Sequence, residues 1–212
     1  FSTLYSVFNL TWTESASINI NSEDRDEFFS KIFDFIVRFF GSLCLGTIAV
    51  MPFVFGILVN EKFAESYYQI PILILGSVFN ILVSFLGSVY VAKKLTKEIA
   101  KTSIIAAIIN IVVNIALINQ IGLYAASIST VIAYFAMFIY RWIDVKKYVS
   151  IKTNKTLIAV LSVSFLVAII TYYLRMKIMS IVVLLAVIII AIYINKDSAK
   201  YLTEIVKKRF KK

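Results

Sequence analysis

Histidine is absent from these 212 residues, and the single cysteine, Cys44, lies within an apolar run. Without histidine, the chain has no metal site of the HExxH type and no histidine-based acid–base catalyst. A lone cysteine excludes an intrachain disulfide. The sequence also lacks a GxSxG elbow, a phosphate-binding glycine loop and a CxxC pair. We therefore expect a protein that is not an enzyme and that holds neither a metal nor a cofactor.

Charge and proline are scarce where the chain is apolar. Hydrophobic residues make up 60% of the sequence, there are two prolines, and the mean hydropathy is +0.88. A helix rises ~1.5 Å per residue and the hydrocarbon core of a bilayer is ~30 Å thick. A span therefore takes about 20 apolar residues, with ~17 near the lower limit. Six runs qualify and contain no acidic residue: 39–59, 70–92, 102–118, 121–140, 156–174 and 178–194. The sequence predicts an all-α fold, a polytopic membrane helix bundle.

The loops between these runs carry basic residues mainly on one side of the membrane. Alternate segments, 13–32, 93–101, 141–155 and 195–212, hold 18 of the Lys and Arg residues, whereas 60–69, 119–120 and 175–177 hold 3. Under the positive-inside rule the first set, with the C-terminus, is cytoplasmic. We therefore predict a multi-pass membrane protein whose C-terminus is cytoplasmic.

The net charge of +10 is explained by cations placed beside the spans. Such cations orient a membrane protein and contact anionic lipid head groups. We predict that contact for Lys93, Lys94, Lys97, Lys146 and Lys147. Membrane lipids are thus expected partners, and nucleic acid is not.

The chain divides by composition into five segments. Residues 1–12 are typical of the end of a transmembrane helix that begins upstream, and the acidic stretch 13–32 is predicted to be a cytoplasmic connector. Four transmembrane helices follow in 33–149, then a peripheral transmembrane hairpin in 150–195. Residues 196–212 place apolar side chains at helical spacing among cations, which predicts an amphipathic cytoplasmic tail. We expect the chain to be the C-terminal part of a longer protein.

Amide side chains at mid-span are the first candidates for a binding site. Asn80 lies near the middle of the second span, and Asn110 and Asn114 lie one turn apart in the third. We hypothesise that Asn80 and Asn110 meet or face a shared cavity that handles substrate. The alternative is that they only form hydrogen bonds between helices, worth roughly 0.6 kcal/mol each.

Arg38 is the charge set deepest in an apolar run. It is a candidate to hold a phosphate or pyrophosphate with its planar guanidinium. The alternatives are that it pairs with Asp34 or reaches the membrane interface.

Pro52, between Gly46 and Gly56, predicts a hinge in a moving helix or a bend that serves packing. In the fourth span, two rows of small residues predict close helix packing: Gly122, Ala126 and Thr130, and Ala125, Ser129 and Ala133.

Several of these features together resemble a known family. The lysine loop at Lys93, Lys94 and Lys97, the Asn110 and Asn114 pair, and the short turn into Gly122 with the alanines that follow all lie in 66–149. The fourth span then ends at Tyr140, Arg141 and Trp142. This stretch resembles the C-terminal part of bacterial polysaccharide flippases, the Wzx-type transporters of O-antigen and exopolysaccharide repeat units in the multidrug/oligosaccharidyl-lipid/polysaccharide exporter superfamily. The chain differs from the family's Gly-Ala-Ala pattern at Leu123 and Tyr124.

The resemblance implies the C-terminal part of an exporter fold with about 12–14 helices in two lobes, which lies in the bacterial cytoplasmic (plasma) membrane and opens alternately on each side of it. Its substrate would be an undecaprenyl-pyrophosphate-linked oligosaccharide, with polysaccharide polymerase and glycosyltransferases as further partners. A multidrug/cation antiporter of the same fold is an alternative, although its intramembrane carboxylates are not seen in these spans. From another class, a membrane glycosyltransferase or polymer ligase would need catalytic groups and a large external loop. A structural membrane subunit is the remaining alternative.

Overall fold

The fold of the chain is taken from a computed structural model, which describes the backbone of residues 2–210 and the surroundings of the side chains of residues 3–196. Within that range the chain forms seven α-helices, and a short 3-10 turn, Glu61–Phe63, follows the second. The helices are α1 (Ser2–Asn19), α2 (Arg25–Leu58), α3 (Ser66–Ala92), α4 (Thr96–Ile121), α5 (Tyr124–Val145), α6 (Lys155–Leu174) and α7 (Lys177–Phe210).

Six of the described helices, α2 to α7, are long and apolar enough to cross a membrane. Each of the six predicted apolar runs falls on one of them, so the prediction of an all-α, polytopic membrane helix bundle is confirmed. The helices extend past the apolar runs because the backbone hydrogen bonds of a helix are local and do not require apolar side chains. Helix α5, for example, continues to Val145.

The chain forms two compact units: residues 1–33 with 56–153, here unit 1, and residues 34–55 with 154–212, here unit 2. Helix α2 contributes its middle to unit 2 and its ends to unit 1. The predicted segments 33–149 and 150–195 therefore do not coincide with the units.

In unit 1, helix α1 packs on α3, and α5 packs on both α3 and α4. Trp12 is buried on α1, stacks on Phe85 and donates its Nε1–H to Ser88 Oγ at 2.6 Å. Ala16 in α1 and Ile20 just after it, both buried, continue the same face at four-residue spacing. That packing explains why α1 extends to Asn19, so that residues 13–19 of the predicted connector are helical.

One of the two small-residue rows in α5 is a packing surface. Ala125, Ser129 and Ala133 are all buried, as predicted. The other row packs only at Thr130, whose Cγ2 would lie 3.8 Å from a Cβ built at Gly76 of α3, since Gly122 precedes α5 with a φ of 54° and Ala126 is exposed. A positive φ suits glycine, which here ends α4 by donating its N–H to the carbonyl of Ile118.

In unit 2, α6 packs on α7, and Asn195 Nδ2 donates to Ser42 Oγ at 3.0 Å. Helix α2 is continuous through Pro52, and the hinge there stays a prediction. Helix α7 extends to Phe210, but the amphipathic face predicted for 196–212 lies outside the described side chains, except for Lys196.

Candidate functional site

A cavity of about 600 Å³ lies within unit 1, among helices α3, α4 and α5. Its wall is apolar at a buried cluster that includes Val83, Ala106, Ala133 and Met137. Polar side chains make up much of the rest of the wall: Asn80, Ser84, Ser103, Asn110, Thr130, Tyr134 and Arg141. Such a concentration of hydrogen-bonding groups between membrane helices is costly unless partners are provided, so it is a candidate binding site.

Asn80 and Asn110 both line this cavity, as the hypothesis of a shared cavity requires. Asn110 Nδ2 also donates to Thr130 Oγ1 at 3.2 Å, which links α4 to α5. Interhelical bonding and cavity lining therefore occur together at Asn110. Binding of substrate by either asparagine stays a prediction.

Asn114 has a different environment. The described lining residues of the cavity do not include it. Its Oδ1 is buried and has no hydrogen-bond partner in the described part of the chain. The structure thus separates Asn114 from the other two amides.

Arg141 is the residue at this cavity that the sequence analysis missed. It lies in the last turns of α5 and is 3% exposed. Its Nε–H and Nη2–H donate to Thr102 Oγ1 of α4, at 3.0 and 2.7 Å, and its Nη1–H donates to the Val83 carbonyl of α3, at 3.0 Å. One guanidinium therefore joins three helices.

Both acceptors are otherwise satisfied. The Thr102 hydroxyl donates its own proton to the Glu98 carbonyl at 2.8 Å. The Val83 carbonyl lies inside the continuous helix α3, where each carbonyl accepts from the amide four residues on. The arginine thus adds to bonds that α3 and α4 make on their own.

Gly87 provides the space for this guanidinium. A Cβ atom built at Gly87 would lie 2.7 Å from Arg141 Nη1, which is closer than real Cβ contacts allow. Since the guanidinium is fixed by three hydrogen bonds, any larger residue would push it off the Val83 carbonyl. Glycine at position 87 is explained by the arginine opposite it.

The charge of Arg141 has no counter-ion among the described side chains. Its Cζ lies 5.7 Å from the centre of the Tyr90 ring, a cation–π contact, and it forms no ion pair with any described carboxylate. The Asp144 carboxylate instead accepts from Tyr90 Oη at 2.9 Å and from Lys147 Nζ at 2.6 Å. The hydrogen bond to Asp144 raises the pKa of Lys147 above its ordinary value.

A signal for Arg141 was present in the sequence. The buried row Ala125, Ser129 and Ala133 continues at the same four-residue spacing to Met137 and Arg141, both buried. The sequence analysis assigned Arg141 to the cytoplasmic loop 141–155 because the apolar run ends at Tyr140. Counting Arg141 in helix α5 instead of in the loop does not change which side of the membrane carries most of the Lys and Arg residues.

Arg38 belongs to unit 2, so the four predicted substrate-binding residues divide between the units. It lines a separate cavity of about 570 Å³, and its Nη1 donates to the Ile194 carbonyl at 3.5 Å. The predicted pairing with Asp34 is wrong: the described residues show no ion pair between them, and Asp34 Oδ1 accepts from the Asn154 amide at 3.4 Å. Asn154 is the N-cap of α6, so its backbone N–H has no acceptor within that helix and is available to the carboxylate.

The five lysines predicted to contact lipid lie at the ends of spans in unit 1. Lys93 Nζ donates to Asn21 Oδ1 at 3.0 Å, and Lys94 adopts a φ of 59° in the turn between α3 and α4. Lys97 is exposed, and Lys146 Nζ lies 5.8 Å from the centre of the Trp142 ring. Contact with lipid head groups stays a prediction for all five.

Comparison of the chain with protein-family models, with curated proteins and with solved structures finds no match. Six apolar helices fit a multi-pass, transporter-like membrane protein. Any finer function has to be proposed from the cavity, the charge distribution and the resemblance in sequence.

Proposed function

We propose that the chain belongs to a transporter that flips undecaprenyl-linked polysaccharide repeat units across the bacterial cytoplasmic membrane by alternating access. The observation that carries this proposal is the polar cavity in unit 1. Amides and hydroxyls line it between helices long enough to span a bilayer. Groups of this kind form hydrogen bonds with the hydroxyls of a sugar.

The charge of the cavity favours an anionic substrate. Its described lining residues include an arginine and no carboxylate. A cation antiporter would need carboxylates in the membrane, whereas a substrate joined to its lipid through pyrophosphate carries negative charge that arginine recognises well. The cavity thus supports a flippase over the antiporter alternative.

In this mechanism, Asn80 and Asn110 hold the saccharide by hydrogen bonds while Arg141 supplies positive charge near the cytoplasmic ends of the helices. The lipid tail stays in the bilayer, where apolar surface costs nothing to expose. The second lobe that the resemblance implies would close the transport path on alternate sides. The basic loops orient the protein with its C-terminus in the cytoplasm.

Deletion of the gene in its host tests the proposal. We expect surface polysaccharide to be lost and undecaprenyl-linked repeat units to accumulate, and we expect the intact protein to restore export. Unchanged polysaccharide and no accumulated intermediate in a host without a second flippase gene would reject the proposal.

A further inference from the structure

We infer that the cavity at Arg141 binds the phosphate group of a membrane lipid. This site does not rest on the proposed function, since the geometry that supports it is local to unit 1. It differs from the proposal above in that the ligand needs no saccharide, because a phosphate carried by a membrane lipid is enough.

The guanidinium of Arg141 has donors to spare. It has five N–H groups, of which three are used, two on Thr102 and one on Val83. Arg141 is only 3% exposed, and it lines the cavity together with Ser103 and Tyr134. One N–H group is left on Nη1 and one on Nη2, and guanidinium N–H groups form strong, charge-assisted hydrogen bonds with phosphate oxygens.

The unpaired positive charge of Arg141 favours binding of an anion at this position. A buried charge is costly, and the usual compensation is a paired carboxylate. Arg141 has none among the described residues, because Asp144 is engaged by Tyr90 and Lys147. An anion in the cavity would supply the missing counter-charge.

The surroundings favour a phosphate that is attached to a lipid. The cavity opens along α4, where the lining residues Ser103, Ala107 and Ile111 are exposed. The same helix exposes a row of large apolar side chains next to the opening: Ile104, Ile108 and Ile115. A phosphate with acyl chains satisfies both surfaces, since its head group meets Arg141 while its chains cover the isoleucines. Inorganic phosphate would satisfy only the first.

The test measures lipid retained by the purified intact protein in detergent, using native mass spectrometry. Three lipid probes are compared: phosphatidylglycerol, diacylglycerol with the same acyl chains, and undecaprenyl phosphate. Inorganic phosphate is added as a soluble competitor. We expect the wild-type protein to retain a phosphate-bearing lipid at least about tenfold better than diacylglycerol, which corresponds to ~1.4 kcal/mol.

Two variants probe the site in different ways. Arg141→Met removes the charge, whereas Ala107→Phe fills the opening and leaves every Arg141 hydrogen bond in place. Both should lower retention of the phosphate lipid to the level of diacylglycerol. Arg175→Met, a matched change at an exposed arginine in unit 2, should not.

Each outcome decides the inference. Preferential retention of phosphatidylglycerol or undecaprenyl phosphate, lost in both variants, supports it and says which lipid is the source. Equal retention of all three lipids, or variants that bind as the wild type does, would overturn it. Displacement of lipid by millimolar inorganic phosphate would overturn the assignment to a lipid. Retention of phosphatidylglycerol without any flipping defect on gene deletion would refute the proposed function and leave this site standing.

Discussion

Replacement of Arg141 by lysine, the chemically similar residue, should lower the stability of the fold more than replacement by methionine. Lysine keeps the charge but has one terminal nitrogen on a shorter side chain, which reaches one of the two acceptors, Thr102 or Val83. A hydrogen bond to a charged group contributes about 1.5–3 kcal/mol. Because the two bonds to Thr102 share one oxygen, we expect Arg141→Lys to lower the free energy of unfolding by about 2–4 kcal/mol.

Arg141→Met removes the bonds and the charge together. The cost of holding an ion away from water, several kcal/mol, is removed with the charge. The groups left behind are not orphaned, since Thr102 still donates to Glu98 and the Val83 carbonyl keeps its place in α3. We therefore expect Arg141→Met to lie within about 2 kcal/mol of the wild type.

The assay is the midpoint of thermal denaturation of the purified proteins in one detergent, with Arg175→Met and Arg175→Lys as matched controls at an exposed arginine. We expect the midpoint of Arg141→Met to lie close to that of the wild type, and the midpoint of Arg141→Lys to lie clearly below both. If Arg141→Met proves the least stable of the three while the controls are unchanged, then the arginine is retained for the fold, and the reasoning from an uncompensated charge is refuted.

Three further predictions concern other parts of the chain. Trp12→Phe should lower the free energy of unfolding by about 2–3 kcal/mol, because it removes a buried hydrogen bond and leaves a void; a thermal shift no larger than that of an exposed substitution would contradict this packing. The double variant Asn80→Leu with Asn110→Leu should abolish transport while weakening the fold by only roughly 1 kcal/mol, so unchanged transport would remove both from the substrate site. In a Cys44→Ser background, Glu61→Cys should react with a membrane-impermeant maleimide in intact cells, and Ser150→Cys only after permeabilisation; the reverse pattern would invert the orientation.

The number and position of the spans were predictable from the sequence because they depend on one variable, the length of apolar runs. The shared cavity at Asn80 and Asn110 was also predictable, since a short turn joins α3 to α4 and sets both amides at similar depth. Each of these inferences needs only the local geometry of a helix or of a helical hairpin.

Features that depend on tertiary packing were missed. The extent of α1 follows from the burial of Trp12 and Ala16 against other helices, which their polar neighbours conceal. Arg141 resembles a loop cation until its acceptors on α3 and α4 are known. For Arg38 the sequence offered Asp34 as a partner at helical spacing, but the Asn154 amide takes the carboxylate instead. Competition among partners distant in sequence decides such cases.

The sidedness of the lipid-linked repeat unit tests the proposed function most directly. In cells that lack the gene, the fraction of undecaprenyl-linked saccharide on each face of the cytoplasmic membrane is measured in inverted and right-side-out vesicles. We predict accumulation on the cytoplasmic face, restored to export by the intact wild-type protein and not by the double asparagine variant. Accumulation on the outer face would contradict the account, since it places the defect after flipping, in polymerisation or ligation.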